Sequence, residues 1–167
     1  VDIGGGSTEL TSIKGGFDLA KISIPQGSLS SFANYVAGLM PTQKEVNAIA
    51  QTFRELAEKE ETDIYHCTQL YGIGGSIRSA AKLYGDLCNN GNRFNYLLPE
   101  HIDAILNRYA EDPNAFAHEA LRTLPDRIHT LIPGCVIIRE AFKLCGGERL
   151  DICKYGVREG YLAERVL

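Results

Sequence analysis

The chain has 167 residues, 44% hydrophobic and 23% charged, with a formal net charge of −4. That length forms one domain with a sizeable core, and the composition is that of an ordinary globular protein. No run reaches the roughly 18 apolar residues of a membrane span, and an acidic chain speaks against bulk nucleic-acid binding, which needs a basic surface.

The chain opens with strands. Val1 and Ile3, then Thr8 and Leu10, then Ile22 and Ile24 alternate with polar residues and are broken by glycines at 4–6 and 15–16. Glycine pairs between short apolar runs are hairpin turns, which predicts a three-stranded antiparallel meander ending at Pro25. Ser28 to Val36 reads as a short helix. Thr42 caps a longer one, with Glu45 at capping-box spacing and Val46, Ile49, Phe53, Leu56 and Ala57 on one face. Gln69 to Ile73 reads as a strand, followed by Gly74-Gly75 and a helix from Ser76 to about Tyr84. Residues 85–98 read as a polar loop. Helices are predicted near 99–110, 114–121, 125–131 and 133–145, each with a proline at its start. Arg149 to Lys154 reads as a last strand, Tyr155-Gly156 as a turn, and Val157 onward as a terminal helix.

Strands in a meander, then strands alternating with helices, predict an α/β fold with a mixed sheet and helices packed on it. Residues 91–131 read as a helical insertion, and no linker divides 1–167. Cys67, Cys88, Cys135, Cys145 and Cys153 are odd in number and form no C-x-x-C pair, so buried free thiols in a reducing cytoplasm are the expectation. His66, His101, His118 and His129 show no ligand-like spacing. No signal peptide is apparent.

The segment VDIGGGSTEL carries the first chemistry. With a turn centred on Gly5-Gly6, Asp2 stands opposite Glu9 and Ile3 opposite Thr8. Val1, Ile3, Thr8 and Leu10 then share one face, and Asp2 and Glu9 the other, about 4.5–5.5 Å apart at Cβ. Facing carboxylates call for a cation, a proton or strong hydrogen bonds. A divalent ion with phosphate is a natural partner for both, and bare glycine amides admit a phosphate closely. A plain surface hairpin with solvated acids is the alternative, and a one-residue slip would undo the pair.

Two further segments suit anions. YGIGGSIRS (71–79) is strand, Gly-Gly, helix, a turn that offers close backbone approach and a helix N-terminus. It fails the dinucleotide spacing because Ile77 holds the third glycine's place, and on its own it also reads as a tight connection. KYGVREGYL (154–162) sets Arg158 at the head of a helix, where it reaches an anion or pairs with Glu159.

DIGGGSTEL, YGIGGSIRS and YGVREGYL, in this order and with IPQGS (24–28) between them, resemble the exopolyphosphatase and guanosine pentaphosphate phosphohydrolase family of the actin-like ATPase superfamily, along essentially the whole chain. The resemblance implies a ribonuclease-H-like fold. It further implies that the chain is the C-terminal half of a two-domain phosphatase core, with the active site between domains and the abrupt start a boundary within a longer protein. By the family pattern Asp2 helps hold Mg²⁺, while Gly4, Gly5, Gly6 and Ser7 cradle phosphate. Glu9 positions or activates water, and Gly74, Gly75 and Ser76 contact phosphate or nucleotide. The implied reaction is metal-assisted attack of water on a terminal phosphoanhydride of polyphosphate or guanosine pentaphosphate, a reaction the fragment alone would not perform. Two features depart from the pattern. Ser28, Leu29, Ser30 and Ser31 follow Gly27 where a basic residue is common, and no C-terminal helical extension follows Leu167. Alternatives are an ATP-dependent kinase or ATPase of the superfamily and a non-catalytic guanosine-polyphosphate binder. A homodimer stays open.

Overall fold

The computed structural model describes residues 1–60, 66–92 and 94–166. Its elements run β1 (Asp2–Ile3), β2 (Thr8–Lys14), β3 (Phe17–Ile24), α1 (Ser28–Tyr35), α2 (Gln43–Ala57), β4 (Gln69–Gly72), α3 (Gly75–Cys88), β5 (Tyr96–Leu97), α4 (Pro99–Glu111), α5 (Pro113–Thr123), a 3₁₀ turn (Pro125–Arg127), α6 (Ile128–Cys145), β6 (Arg149–Ile152) and α7 (Val157–Arg165).

The meander forms as its alternation predicts. Asp2 pairs with Glu9 and Ile3 with Thr8, antiparallel. The second hairpin turns on Gly15 and Gly16, whose φ of 61° and 85° suit a primed turn. A second sheet orders β4-β6-β5, with β4 and β6 parallel. A parallel bridge from Asp2 to Ile73 joins the two sheets, with Ile73 N–H donating to Val1 O at 2.8 Å. The strands therefore follow one another as β3-β2-β1-β4-β6-β5, a mixed sheet.

Helix α2 begins where Thr42 and Glu45 cap each other: Glu45 N donates to Thr42 Oγ1 at 3.3 Å and Thr42 N to Glu45 Oε2 at 2.6 Å. Its Val46, Ile49 and Phe53 are buried. Helix α6 is apolar nearly all round, as a central helix must be. It packs against α1, α2, α3 and α4. Ile3, Leu10, Ile24, Ile77, Leu83, Ile102 and Ile132 belong to one core with it.

Several expectations are corrected. The helices expected at 125–131 and 133–145 are a 3₁₀ turn and one continuous helix, with Pro133 inside α6. An interior proline costs about 3 kcal/mol, and burial of thirteen α6 residues outweighs it. The polar loop expected at 85–98 is narrower: α3 continues to Cys88, where Leu83 and Gly85 are buried, and Tyr96–Leu97 form β5 against β6. Within that loop Arg93 lies outside the described residues. The strands at 69–73 and 149–154 end one and two residues early. The 91–131 segment is largely helical as expected, and its Ile102, Ile105, Tyr109 and Phe116 share the common core. Of the five free thiols, Cys135 and Cys145 are buried, Cys88 and Cys153 are half-buried and Cys67 is exposed, so burial was overestimated for three.

Candidate functional site

Strands β1, β4 and β6 run parallel and end at one edge of the sheet. Ligands of open α/β sheets bind at that carboxyl edge. A cleft of about 560 Å³ opens there, and the β1–β2 turn, the start of α1, the β4–α3 turn and the start of α6 line it. Asp2, Gly4, Gly5, Gly74, Gly75 and Ser76 meet in this one cleft. Segments more than 70 residues apart in sequence are thus neighbours.

The first glycine turn is held rigidly from behind. Ser28 N donates to Gly4 O at 3.0 Å, and Leu29 N and Ser30 N donate to Gly5 O at 2.9 and 2.8 Å. The free amides that begin α1 are consumed by the turn's carbonyls, so this helix start offers those donors to no ligand. Gly27 is the contact point: a Cβ there would stand 2.6 Å from Gly4 O, Gly5 C and Gly5 O. Gly4 N donates to Ser7 O at 3.0 Å and is likewise committed. Among the described residues the Gly5 and Gly6 amides have no hydrogen-bond acceptor.

The second turn is organised differently. Gly74 caps α3 with φ 104°, a conformation suited to glycine. A Cβ on it would stand 2.8 Å from Asp2 Oδ1, so the Asp2 carboxylate lies against the head of α3. The first amides of this fourteen-residue helix point into the cleft with the positive end of its dipole. Ser76 Oγ donates to Ser28 Oγ at 3.1 Å and links the two turns.

Glu9 lies outside the cleft lining, on the strand beside Asp2. Its Oε1 accepts a short hydrogen bond from Ser7 Oγ and one of 3.2 Å from Ser23 Oγ. The facing carboxylates are thus relieved on the Glu9 side by two hydroxyls, one of the three devices expected. Gly6 and Ser7 are also outside the lining. Arg158 sits exposed on α7 and is not among the residues that line the cleft. Beside it Glu159 turns back to accept from Gly156 N at 2.8 Å. That bond chiefly, with weaker help from Arg158 and Arg78, holds the Glu159 carboxyl below its ordinary range.

Sequence reasoning missed Ser28, Asp126, Arg127, His129 and Thr130, all of which line the cleft. Arg127 matters most. A Cβ on Gly75 would fall 2.6 Å from its Nη2, so its guanidinium covers the head of α3. Among the described residues it makes no ion pair or side-chain hydrogen bond. A lone Pro-Asp-Arg before a helix reads only as a helix start, so no spacing signal could have found it.

Among the described residues no group of three or more His, Cys, Asp and Glu gathers around a point. Mg²⁺ keeps several waters and is commonly held by one or two carboxylates plus substrate phosphates. Asp2, in the cleft with Glu9 opposite, fits that donor set.

A sheet of this order, with glycine turns after β1 and β4 forming one cleft wall, defines a ribonuclease-H-like domain of the actin-like ATPase class. The model of the Ppx/GppA phosphatase family matches residues 1–167, and the chain belongs to that family. Among solved structures, the Aquifex aeolicus Ppx/GppA family member superposes with a TM-score of 0.78 at 24% identity, over 99% of this chain and 54% of that one. The type II variant of the A. aeolicus Ppx/GppA phosphatase gives 0.77 at 25%, over 99% and 56%. An exopolyphosphatase from Cytophaga hutchinsonii gives 0.78 at 17%, over 97% and 54%. The chain thus spans about half the length of these proteins. No curated protein matches it. Among the described residues no helix is long and apolar enough to cross a membrane.

Proposed function

We propose that this chain forms one wall of a phosphoanhydride hydrolase site, removing terminal phosphate from inorganic polyphosphate or guanosine pentaphosphate. The observation that carries the reading is the convergence of two glycine turns, the head of α3, Asp2 and Arg127 on one cleft. In this reading the opposite wall comes from a second domain, and the chain alone turns over no substrate.

The glycine amides and the α3 head bind the terminal phosphate, and Arg127 neutralises its charge. Asp2 would hold Mg²⁺, which supplies charge neutralisation at the phosphoanhydride. Glu9, oriented by Ser7 and Ser23, accepts the proton of the attacking water; the bond broken is between the terminal phosphorus and its bridging oxygen, which leaves with the shortened substrate. A cytoplasmic setting accords with five free thiols.

The test is phosphate release from both substrates by a protein joining this chain to the complementary domain. Glu9→Ala should abolish release while leaving substrate binding in place. Undiminished turnover in that variant removes Glu9 from the reaction. ATP hydrolysis with polyphosphate untouched would instead favour a kinase or ATPase, and tight guanosine-polyphosphate binding without turnover a regulator.

A further inference from the structure

Beside the cleft, a second groove of about 410 Å³ combines cations with an aromatic wall. Arg78 and Lys82 come from α3, four residues apart and so one turn apart on one face. Lys154 follows β6, and Phe94 and Asn95 precede β5. None of the eight described residues lining the groove is acidic, although the chain carries a net charge of −4.

The groove adjoins the cleft through the sheet. Gly72 pairs with Ile152 in parallel register, Cys153 N donates to Gly72 O at 2.8 Å, and Ile73 bridges Asp2. Asp2, Ile73 and Cys153 therefore mark a row across three adjacent strands, about 10 Å from end to end at the usual strand spacing. Arg78 N reaches Gly74 O at 3.5 Å, so the first cation stands one helical turn beyond the cleft floor.

The cations differ in their freedom. Lys82 Nζ donates to Thr123 O at 2.7 Å and also ties α3 to the end of α5. Arg78 and Lys154 make no side-chain hydrogen bond or ion pair among the described residues; Lys154 lies 5.4 Å from the ring of Tyr155. The Phe94 ring is stacked on Tyr96, with centroids 5.0 Å apart.

We infer that this groove holds the distal phosphates of a linear polyphosphate whose terminal phosphate lies on the glycine floor. The inference rests on the hydrolase reading. Three cations in a groove whose described lining holds no acid favour a polyanion, and the nearest acid identified is Glu159, whose carboxyl feels the charge of Arg78. Their spread along one turn of α3 and the end of β6, rather than around a point, favours a chain of charges over a single phosphate. Phe94, packed on Tyr96, closes one side of the groove.

The test measures binding of long-chain polyphosphate and of tripolyphosphate to this chain and to its R78Q/K154Q double variant. Lys82 is left in place because of its bond to Thr123. The expected result is a loss of about tenfold or more for the long chain and less than about twofold for tripolyphosphate. The salt dependence of long-chain binding should fall by about one unit of slope per cation removed. The K44Q/K59Q pair, exposed in the first turn of α2 and just beyond its end, should change neither ligand. Equal losses on both ligands, equal losses in the control pair, or no length preference in the unaltered chain overturn the inference. So does a double variant that loses guanosine pentaphosphate but keeps long-chain polyphosphate. In the two-domain protein, length-dependent binding through Arg78 and Lys154 without phosphate release refutes the hydrolase reading and leaves the groove. Phosphate release with a KM independent of chain length, and unaltered in the double variant, does the reverse.

Discussion

The guanidinium of Arg127 occupies the space where a side chain on Gly75 would begin. An added Cβ would meet Nη2 at 2.6 Å and Nη1 at 2.7 Å. The glycine therefore admits the arginine to the helix head, and both residues line the cleft proposed to take the phosphate.

Arg127→Gln should weaken tripolyphosphate binding to this chain by about tenfold, since a charge-assisted hydrogen bond contributes ~1.5–3 kcal/mol and 1.4 kcal/mol is tenfold. Gly75→Ala should do the same by displacing the flexible end of Arg127. Stability should change by less than about 0.5 kcal/mol for Arg127→Gln, as for other exposed side chains without partners. Calorimetric titration and urea unfolding check both; unchanged affinity in Arg127→Gln removes it from the site.

Gly27→Ala tests the support behind the first turn. Its new methyl meets backbone atoms of Gly4 and Gly5 at 2.6 Å, and backbone cannot swing aside as a side-chain tip can. A loss of about 1–3 kcal/mol is expected, in the range of overpacked cores. It should appear as a lower urea midpoint at constant slope. Gly6→Ala is the control, with open space around its Cβ position; equal losses at both positions contradict the account.

Acid should destabilise the fold through Glu140. This side chain, 1% exposed, accepts from Arg54 Nη1 at 2.8 Å and Lys143 Nζ at 3.0 Å. Burial by itself raises its pKa, but the bonds from Lys143 and Arg54 outweigh burial and hold it below the ordinary value of 4.5. A folded-state pKa below the unfolded one gives stability that is present above pH 4.5 and lost as pH falls through the lowered value. Unfolding free energy measured from pH 7 down to 3 should therefore fall steeply below 4.5. Glu140→Gln should be less stable at pH 7 and show a shallower acid limb; an acid limb as steep as the parent's refutes the linkage.

The thiols should react in an order set by burial. Burial pushes Cys135 up to about 12 and Cys145 to about 11, so neither forms thiolate at pH 8. Cys67 is exposed. A thiol reagent at pH 8 should label Cys67 first and reach Cys135 and Cys145 only after denaturant is added. Rapid labelling of Cys135 in the folded chain would contradict its place in the core.

The hairpin was legible because one alternation fixed two things at once. Burying Val1, Ile3, Thr8 and Leu10 on one side leaves no register but Asp2 opposite Glu9. The capped α2 was legible for an equally local reason. Strand β5 was not: two residues in a polar stretch pair with β6 only once the chain has returned from α6. Pro133 misled because its penalty is local while the burial that overrides it is tertiary. The cleft shows the same divide. Its glycine turns are visible in sequence, whereas Arg127 and the use of α1 as a brace depend on contacts between distant segments.

The brace has one more consequence. Because the carbonyls of Gly4 and Gly5 are anchored inside the domain, the turn has little freedom left to lose when a ligand arrives. The ordering entropy of binding then falls on the substrate and on whatever closes over it, and not on this wall. In the proposed hydrolase, tuning of affinity would then be left to the substrate and to the opposite wall, with the glycine floor as a fixed reference.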